Sequence, residues 1–227
     1  VGQILGPKPD THASSKEALR DQGGAIENAG RRIAFTRGGK RYNTVTMPHL
    51  GPPDAKYVMV KYFDYTCTSC RKVHEQLQFV EKKHPGLFCV ILLPVPLNRS
   101  CNPFITNQSP KHQHACELAR LSVAAWKARP AKWPEVHEQL ISTLDLPPEV
   151  AEAAVGQIVG HDQLELAKQD PSVDSLIKSS VKDFGQLKKQ NSLLPKLMCA
   201  GGKVLHGEPR SAEALLSALN QIYDLVP

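Results

Sequence analysis

The sequence predicts a single α/β domain in which one sheet is assembled from a β-α-β half and a β-β-α half, with a helical insertion between them. Three observations predict it. Tyr57-Val58-Met59-Val60-Lys61-Tyr62-Phe63 is a β-branched and aromatic run of strand length, followed by Val73, Leu77 and Val80 at helical spacing. Pro85-Gly86 stops that helix and a second strand follows at Leu87–Pro94. Far downstream, Lys196–Ala200 and Lys203–Gly207 flank Gly201-Gly202, a hairpin signal, before a last helix.

Taken in chain order, residues 1–30 are rich in Gly, Ser, Asp and Lys and read as an arm with one weakly helical patch. Arg32–Arg37 and Arg41–Met47 flank Gly38-Gly39-Lys40 and read as a short hairpin. Pro48 to Pro53 reads as a connector, so the expected organisation is an arm and hairpin over 1–50 and the main domain over 51–227. The insertion spans about 97–191. Its helices are expected at His112–Ala128, Lys132–Thr143, Pro148–Val159 and Val173–Lys189. Trp126 and Trp133 are expected as core anchors. Ser211 is placed to cap the final helix, whose Ala212, Leu215, Leu216, Leu219 and Ile222 face inward.

At 227 residues the chain can bury a full core. No run approaches the roughly 18 apolar residues that a membrane span needs. The chain begins at Val1, consistent with prior removal of a targeting segment. Lysine plus arginine exceed aspartate plus glutamate by 28 − 22 = +6. These cations are scattered and lack interleaved aromatics, which argues for a solvated surface and against a nucleic-acid partner. Six cysteines suit an oxidising compartment. Cys101 in a Pro/Asn-rich loop and Cys116 on the following helix are the candidates for a structural disulfide, while Cys89 and Cys199 lie in predicted strands as buried thiols.

The chemistry concentrates at Cys67-Thr68-Ser69-Cys70, two cysteines one turn apart where a strand hands over to a helix. Unsatisfied amides and the positive end of the helix dipole favour a thiolate at Cys67, the arrangement of a dithiol that exchanges disulfides. Arg71 and Lys72 add positive potential. A Cu(I) or zinc site built on Cys67, Cys70 and His74, with His112 and His114 as further donors, is the competing reading. It lacks a second cysteine pair at zinc-ribbon spacing, and no metal is expected. The remaining histidines, including His84, His137, His161 and His206, read as surface residues. Nothing supplies a nucleophile elbow or a phosphate-binding loop.

These segments resemble the thioredoxin-like superfamily, and within it the DsbA-like branch, which carries a helical insertion between the two halves of its sheet. Gly51-Pro52-Pro53-Asp54-Ala55 and the strand through Phe63-Asp64-Tyr65-Thr66 are similar to the family's lead-in to its C-x-x-C, and Cys67–Leu77 resembles its active-site helix. Leu194-Pro195-Lys196-Leu197, followed by Gly201-Gly202-Lys203-Val204, resembles the loop that carries the family's cis-proline. The resemblance implies a thiol–disulfide oxidoreductase that is periplasmic or otherwise extracytoplasmic and monomeric. It would work without a cofactor on cysteine-containing client proteins, and a membrane redox partner would reset the pair. Cys67 would attack, Cys70 would resolve, and Leu194 and Pro195 would orient the substrate backbone. A redox-inert binding module with the same fold is the alternative.

Two departures from the family stand out. Thr68-Ser69 stands where DsbA-type oxidants have Pro-His, which implies a less oxidising pair. Lys61 stands six residues before Cys67, where the family has a buried acid that moves protons for the second cysteine. Lys61 is then either a proton carrier with a lowered pKa or a residue that snorkels to water, with Asp64 or Glu75 as the substitute carboxylate.

Overall fold

The computed structural model describes residues 32–34, 41–143, 145–188 and 193–225, so the N-terminal arm and the Gly38-Gly39-Lys40 turn lie outside the described residues. Strands β1 (Arg32–Ala34) and β2 (Arg41–Asn43) pair antiparallel as a separate two-stranded sheet. The main sheet has five strands: β3 (His49–Leu50), β4 (Tyr57–Phe63), β5 (Phe88–Pro94), β6 (Lys196–Met198) and β7 (Val204–His206). Their spatial order is β3-β5-β4-β6-β7, with β4 and β5 parallel and every other neighbour antiparallel.

Helix α1 (Thr68–Lys83) connects β4 to β5, as its apolar stripe requires, and α7 (Ala212–Tyr223) closes the second half beside it. Ser211 Oγ accepts from Ala214 N at 3.2 Å, the expected cap. Between β5 and β6 run α2 (Ala115–Ala128), α3 (Trp133–Ser142), α4 (Pro148–Val159), α5 (His161–Lys168) and α6 (Pro171–Lys188). Trp126 and Trp133 are both buried and meet edge to face at 5.7 Å.

Three expectations need correction. The segment read as a connector, Pro48 to Pro53, contributes β3, so the sheet begins before residue 51. Gly51 follows it at φ +79°, and a Cβ there would sit 2.1 Å from Phe88 O, so only glycine lets this edge strand lie against β5. The Gly201-Gly202 turn is wider than a two-residue hairpin: Met198 pairs with Val204, and Ala200–Gly202 form a 3-10 turn between them. Helix α5 has no counterpart among the helices that the sequence predicts. Its eight residues offer only Leu164 and Ala167 to the core, too few to display a period.

Cys101 and Cys116 are bridged, with Cα atoms 6.2 Å apart, which ties the loop after β5 to the start of α2. Cys89 and Cys199 are buried thiols outside that bridge, as expected. The bridge closes a loop of 15 residues, for which chain-entropy arguments give about 3 kcal/mol. Replacing both cysteines by serine should therefore lower the thermal midpoint by about 10 °C in a non-reducing melt.

Candidate active site

Cys67 is the N-cap of α1, at φ −89° and ψ 113°, and its sulfur accepts from Cys70 N at 3.2 Å. Its carbonyl accepts from Cys70 N at 3.0 Å and Arg71 N at 3.1 Å, and no acid occupies the first turn. Cys67 keeps 7% exposure whereas Cys70 has none, so of the two cysteines only the first meets solvent. The two thiols are electrostatically unequal. The Cys70 thiol donates to Cys67 and, together with the Cys70 backbone amide, lowers the Cys67 pKa against the opposing effect of burial. Burial pushes Cys70 well above the usual thiol range, and the neighbouring Cys67 charge adds to the rise.

Thr68 is exposed and Ser69 half-buried. Arg71 and Lys72 are spent on tethering. Arg71 Nε donates to Ile141 O at 3.0 Å, its other arm donates to Ser142 O, and Lys72 pairs with Glu208 at 3.0 Å. A cation that lowers the Cys67 pKa is Lys111, on the 3-10 turn Pro110–His112, and nothing in the local sequence pointed to it.

Asp64 is buried, and its carboxylate accepts from Thr66 N at 2.5 Å, from the Thr66 hydroxyl and from Leu97 N at 2.6 Å. Those donors hold the loop into Cys67, and the Asp64 charge raises the Cys67 pKa. The Thr66 hydroxyl lies 2.6 Å from His112 Nδ1, which brings the Lys111 turn against the site.

Lys61 does not snorkel. It has no exposure, because β5 and β6 flank β4 and α1 covers it, and its ammonium donates to Cys70 O at 3.2 Å. Burial pulls its pKa down to about 8, with the Cys70 and Cys67 charges opposing that fall. The peptide bond before Pro195 is cis. Leu194 and Pro195 are buried, and Pro195 O accepts from Gly207 N at 2.8 Å. The register pairs Lys196 with Tyr62, which sets Pro195 at the end of the sheet where β4 runs out toward Cys67.

Three histidines read as surface residues or metal donors are buried instead. His74 Nε2 lies 2.8 Å from Glu138, not on the sulfurs. His112 sits on Thr66, and His137 has no exposure, its Nδ1 lying 2.8 Å from Tyr65 Oη. Among the described residues no group of three or more His, Cys, Asp or Glu is arranged to hold a metal ion. His137 was legible in principle, since Trp133, Val136, His137, Leu140 and Ile141 form the buried stripe of α3.

The thioredoxin family model matches residues 43–221. No curated protein sequence matches the chain. Among solved structures, the thiol-disulfide exchange protein α-DsbA2 from Wolbachia pipientis is similar at 16% identity and a TM-score of 0.60, over 78% of this chain and 87% of that one. The catalytic domain of Proteus mirabilis ScsC is similar at 18% identity and a TM-score of 0.59, over 92% of this chain and 96% of that one. Chlamydia trachomatis DsbA is similar at 14% and 0.57, over 78% and 90%. The chain therefore belongs to the thioredoxin family and carries its fold in the DsbA-like form, with a helical insertion between the two halves of the sheet.

Proposed function

We propose that the protein is an extracytoplasmic thiol–disulfide oxidoreductase acting on cysteine-containing client proteins through Cys67 and Cys70. The observation that carries this reading is the inequality of the two sulfurs: one caps a helix with its pKa lowered and keeps contact with solvent, the other is enclosed with its pKa raised. Such a pair separates the roles that exchange needs. Cys67 forms the mixed disulfide, and Cys70 stays protonated until it displaces the client. Leu194 and Pro195 present backbone to an extended client segment. Lys61 takes the proton from Cys70 when it resolves and returns it when Cys70 leaves, because a lysine near 8 exists in both forms around neutrality. Asp64 positions the Cys67 loop. A membrane redox protein resets the pair after each turnover, and Thr68-Ser69 sets a less oxidising poise than a histidine-containing dipeptide would.

Alkylation of the reduced protein tests the reading. One thiol is expected to react rapidly with iodoacetamide, its rate titrating below the roughly 8.5 of an ordinary cysteine, and Cys67→Ser should remove that phase. Two thiols reacting equally with an ordinary titration would refute it.

A further inference from the structure

Lys61 Nζ donates to Cys70 O at 3.2 Å, and neither residue touches solvent. On the exchange reading, the proton that Cys70 gives up must reach bulk water in every turnover. The surroundings of Lys61 offer a route. Lys61 Nζ lies 5.4 Å from the centre of the Phe63 ring, and that ring meets His137 on α3 edge to face at 5.3 Å; His137 in turn meets His74 on α1 edge to face at 5.0 Å, and the Lys61 charge acts on both imidazoles.

His137 is held by polar contacts on one side only. Trp133 Nε1 donates to Ser122 O at 2.9 Å and to Ser122 Oγ at 3.2 Å, Tyr65 Oη lies 2.6 Å from Ser122 Oγ, and His137 Nδ1 lies 2.8 Å from Tyr65 Oη. A consistent pattern has Tyr65 donate to Ser122 and His137 Nδ1–H donate to Tyr65. Nε2 of His137 is then a bare lone pair, and it is a buried polar atom without a hydrogen-bond partner. On the other side, His74 Nε2 meets Glu138 at 2.8 Å and the Gln78 amide at 3.2 Å. Glu138 is 51% exposed. His74, Gln78 and Glu138 line a cavity of about 440 Å³ beside α1.

We propose that His137 and His74 form the proton exit of the dithiol, passing the proton that Lys61 takes from Cys70 to Glu138 at the surface. The inference rests on the exchange reading above. In the direction that reduces a client disulfide, the Cys67 thiolate attacks one client sulfur and the other leaves as a thiolate. The Cys70 thiol gives its proton to the Lys61 amine, and its sulfur attacks Cys67 Sγ. The Cys67–Cys70 disulfide forms, and the second client sulfur leaves as a thiolate. Two electrons have passed from the cysteine pair to the client disulfide. The Lys61 proton leaves through the imidazoles, and the client thiolates are protonated from solvent. In the opposite direction the same path delivers a proton to the departing Cys70 thiolate.

Both rings are suited to a carrier that stays neutral between transfers, since burial lowers the pKa of each and the Lys61 charge lowers it further. The titratable groups coupled electrostatically to Lys61 include Cys67, Cys70, His74 and His137. Those facing His74 are Lys61, His137, Glu138, Glu75 and Gln78. Burial outweighs the two carboxylates at His74, so its proton is held loosely.

Stopped-flow reaction of the reduced protein with Ellman's reagent resolves the two steps, because attack by Cys67 and resolution by Cys70 each release one chromophoric thiolate. His74→Ala is expected to keep the first phase and slow the second at least about tenfold. Imidazole, entering the space left beside the cavity, is expected to restore the second phase. Glu138→Gln, a surface change that does not threaten folding, is expected to slow the same phase and alter its pH profile. A second phase of wild-type rate and pH profile in both variants would overturn the proton exit. So would a slowed phase that imidazole leaves unchanged, since that is the mark of a structural role. Absence of a rapid first phase in the wild type would instead overturn the exchange reading itself.

Discussion

Cys67→Ser will reduce disulfide exchange to the uncatalysed background, a loss of at least about three orders of magnitude, as removal of a covalent nucleophile does. Cys70→Ser will leave the first step intact and stop the second, so a mixed disulfide between Cys67 and the client will accumulate. The two outcomes differ because the two sulfurs occupy different places. Cys67 is reached from solvent and is stabilised as an anion by donors at the start of α1, and a serine hydroxyl there is not ionised near neutrality. Cys70 is enclosed, so on the exchange reading it acts only on a sulfur already bound to Cys67. The thiol of Cys70 is also the largest influence lowering the Cys67 pKa. Serine at that position preserves a donor and alanine does not, so Cys70→Ala should move the alkylation midpoint of Cys67 upward while Cys70→Ser moves it less. Non-reducing electrophoresis and an alkylation titration read both effects. Unchanged action on client proteins when both Cys67 and Cys70 are replaced by serine would mean that the fold serves as a binding module.

Lys61→Met will make the protein more stable and a poorer catalyst of exchange. A lysine held at about 8 in the folded chain, against 10.5 unfolded, corresponds to about 3 kcal/mol of destabilisation wherever both states are protonated. Methionine has a similar length and no charge, and it forfeits one hydrogen bond, the 3.2 Å contact to Cys70 O, worth about 1 kcal/mol. A net gain of about 2 kcal/mol is therefore expected below pH 8. The sign of the pH dependence follows from proton counts. Between pH 8 and 10.5 the unfolded wild-type chain holds a proton that the folded protein has released, so wild-type stability rises with pH and the advantage of methionine shrinks. Denaturant titrations of both proteins at pH 7 and pH 10 measure this difference. A variant equally stable at both pH values relative to wild type would show that Lys61 is not buried as a cation. The same change should slow the Cys70 step, because no amine is left to take its proton.

That coupling of lower stability to function is general for groups that must titrate inside a protein. Lys61 sits between Val60 and Tyr62 in a strand whose neighbours are all apolar, so the cost of a charge there was visible along the chain. Its destination was not. A lysine stem can reach water from many strands, and only the pairing of β4 with β5 and β6, with α1 laid across, closes every exit.

The amino-acid order by itself determined what depends on near neighbours. It set the run Tyr57–Phe63 as a central strand, the helix that Cys67 caps, the Cys101–Cys116 pairing across a short loop, and the helices whose apolar stripes are long enough to show a period. These follow from backbone propensity and side-chain spacing within a few turns. Tertiary structure decided what depends on groups far apart in sequence. It brought Lys111 to bear on Cys67, set Glu138 beside His74, laid His137 against Tyr65, and turned Arg71 away from the sulfurs to the end of α3. Electrostatic influence on a thiol or an imidazole extends through space and grows with burial, and neither distance nor burial is written in the spacing of residues along a chain.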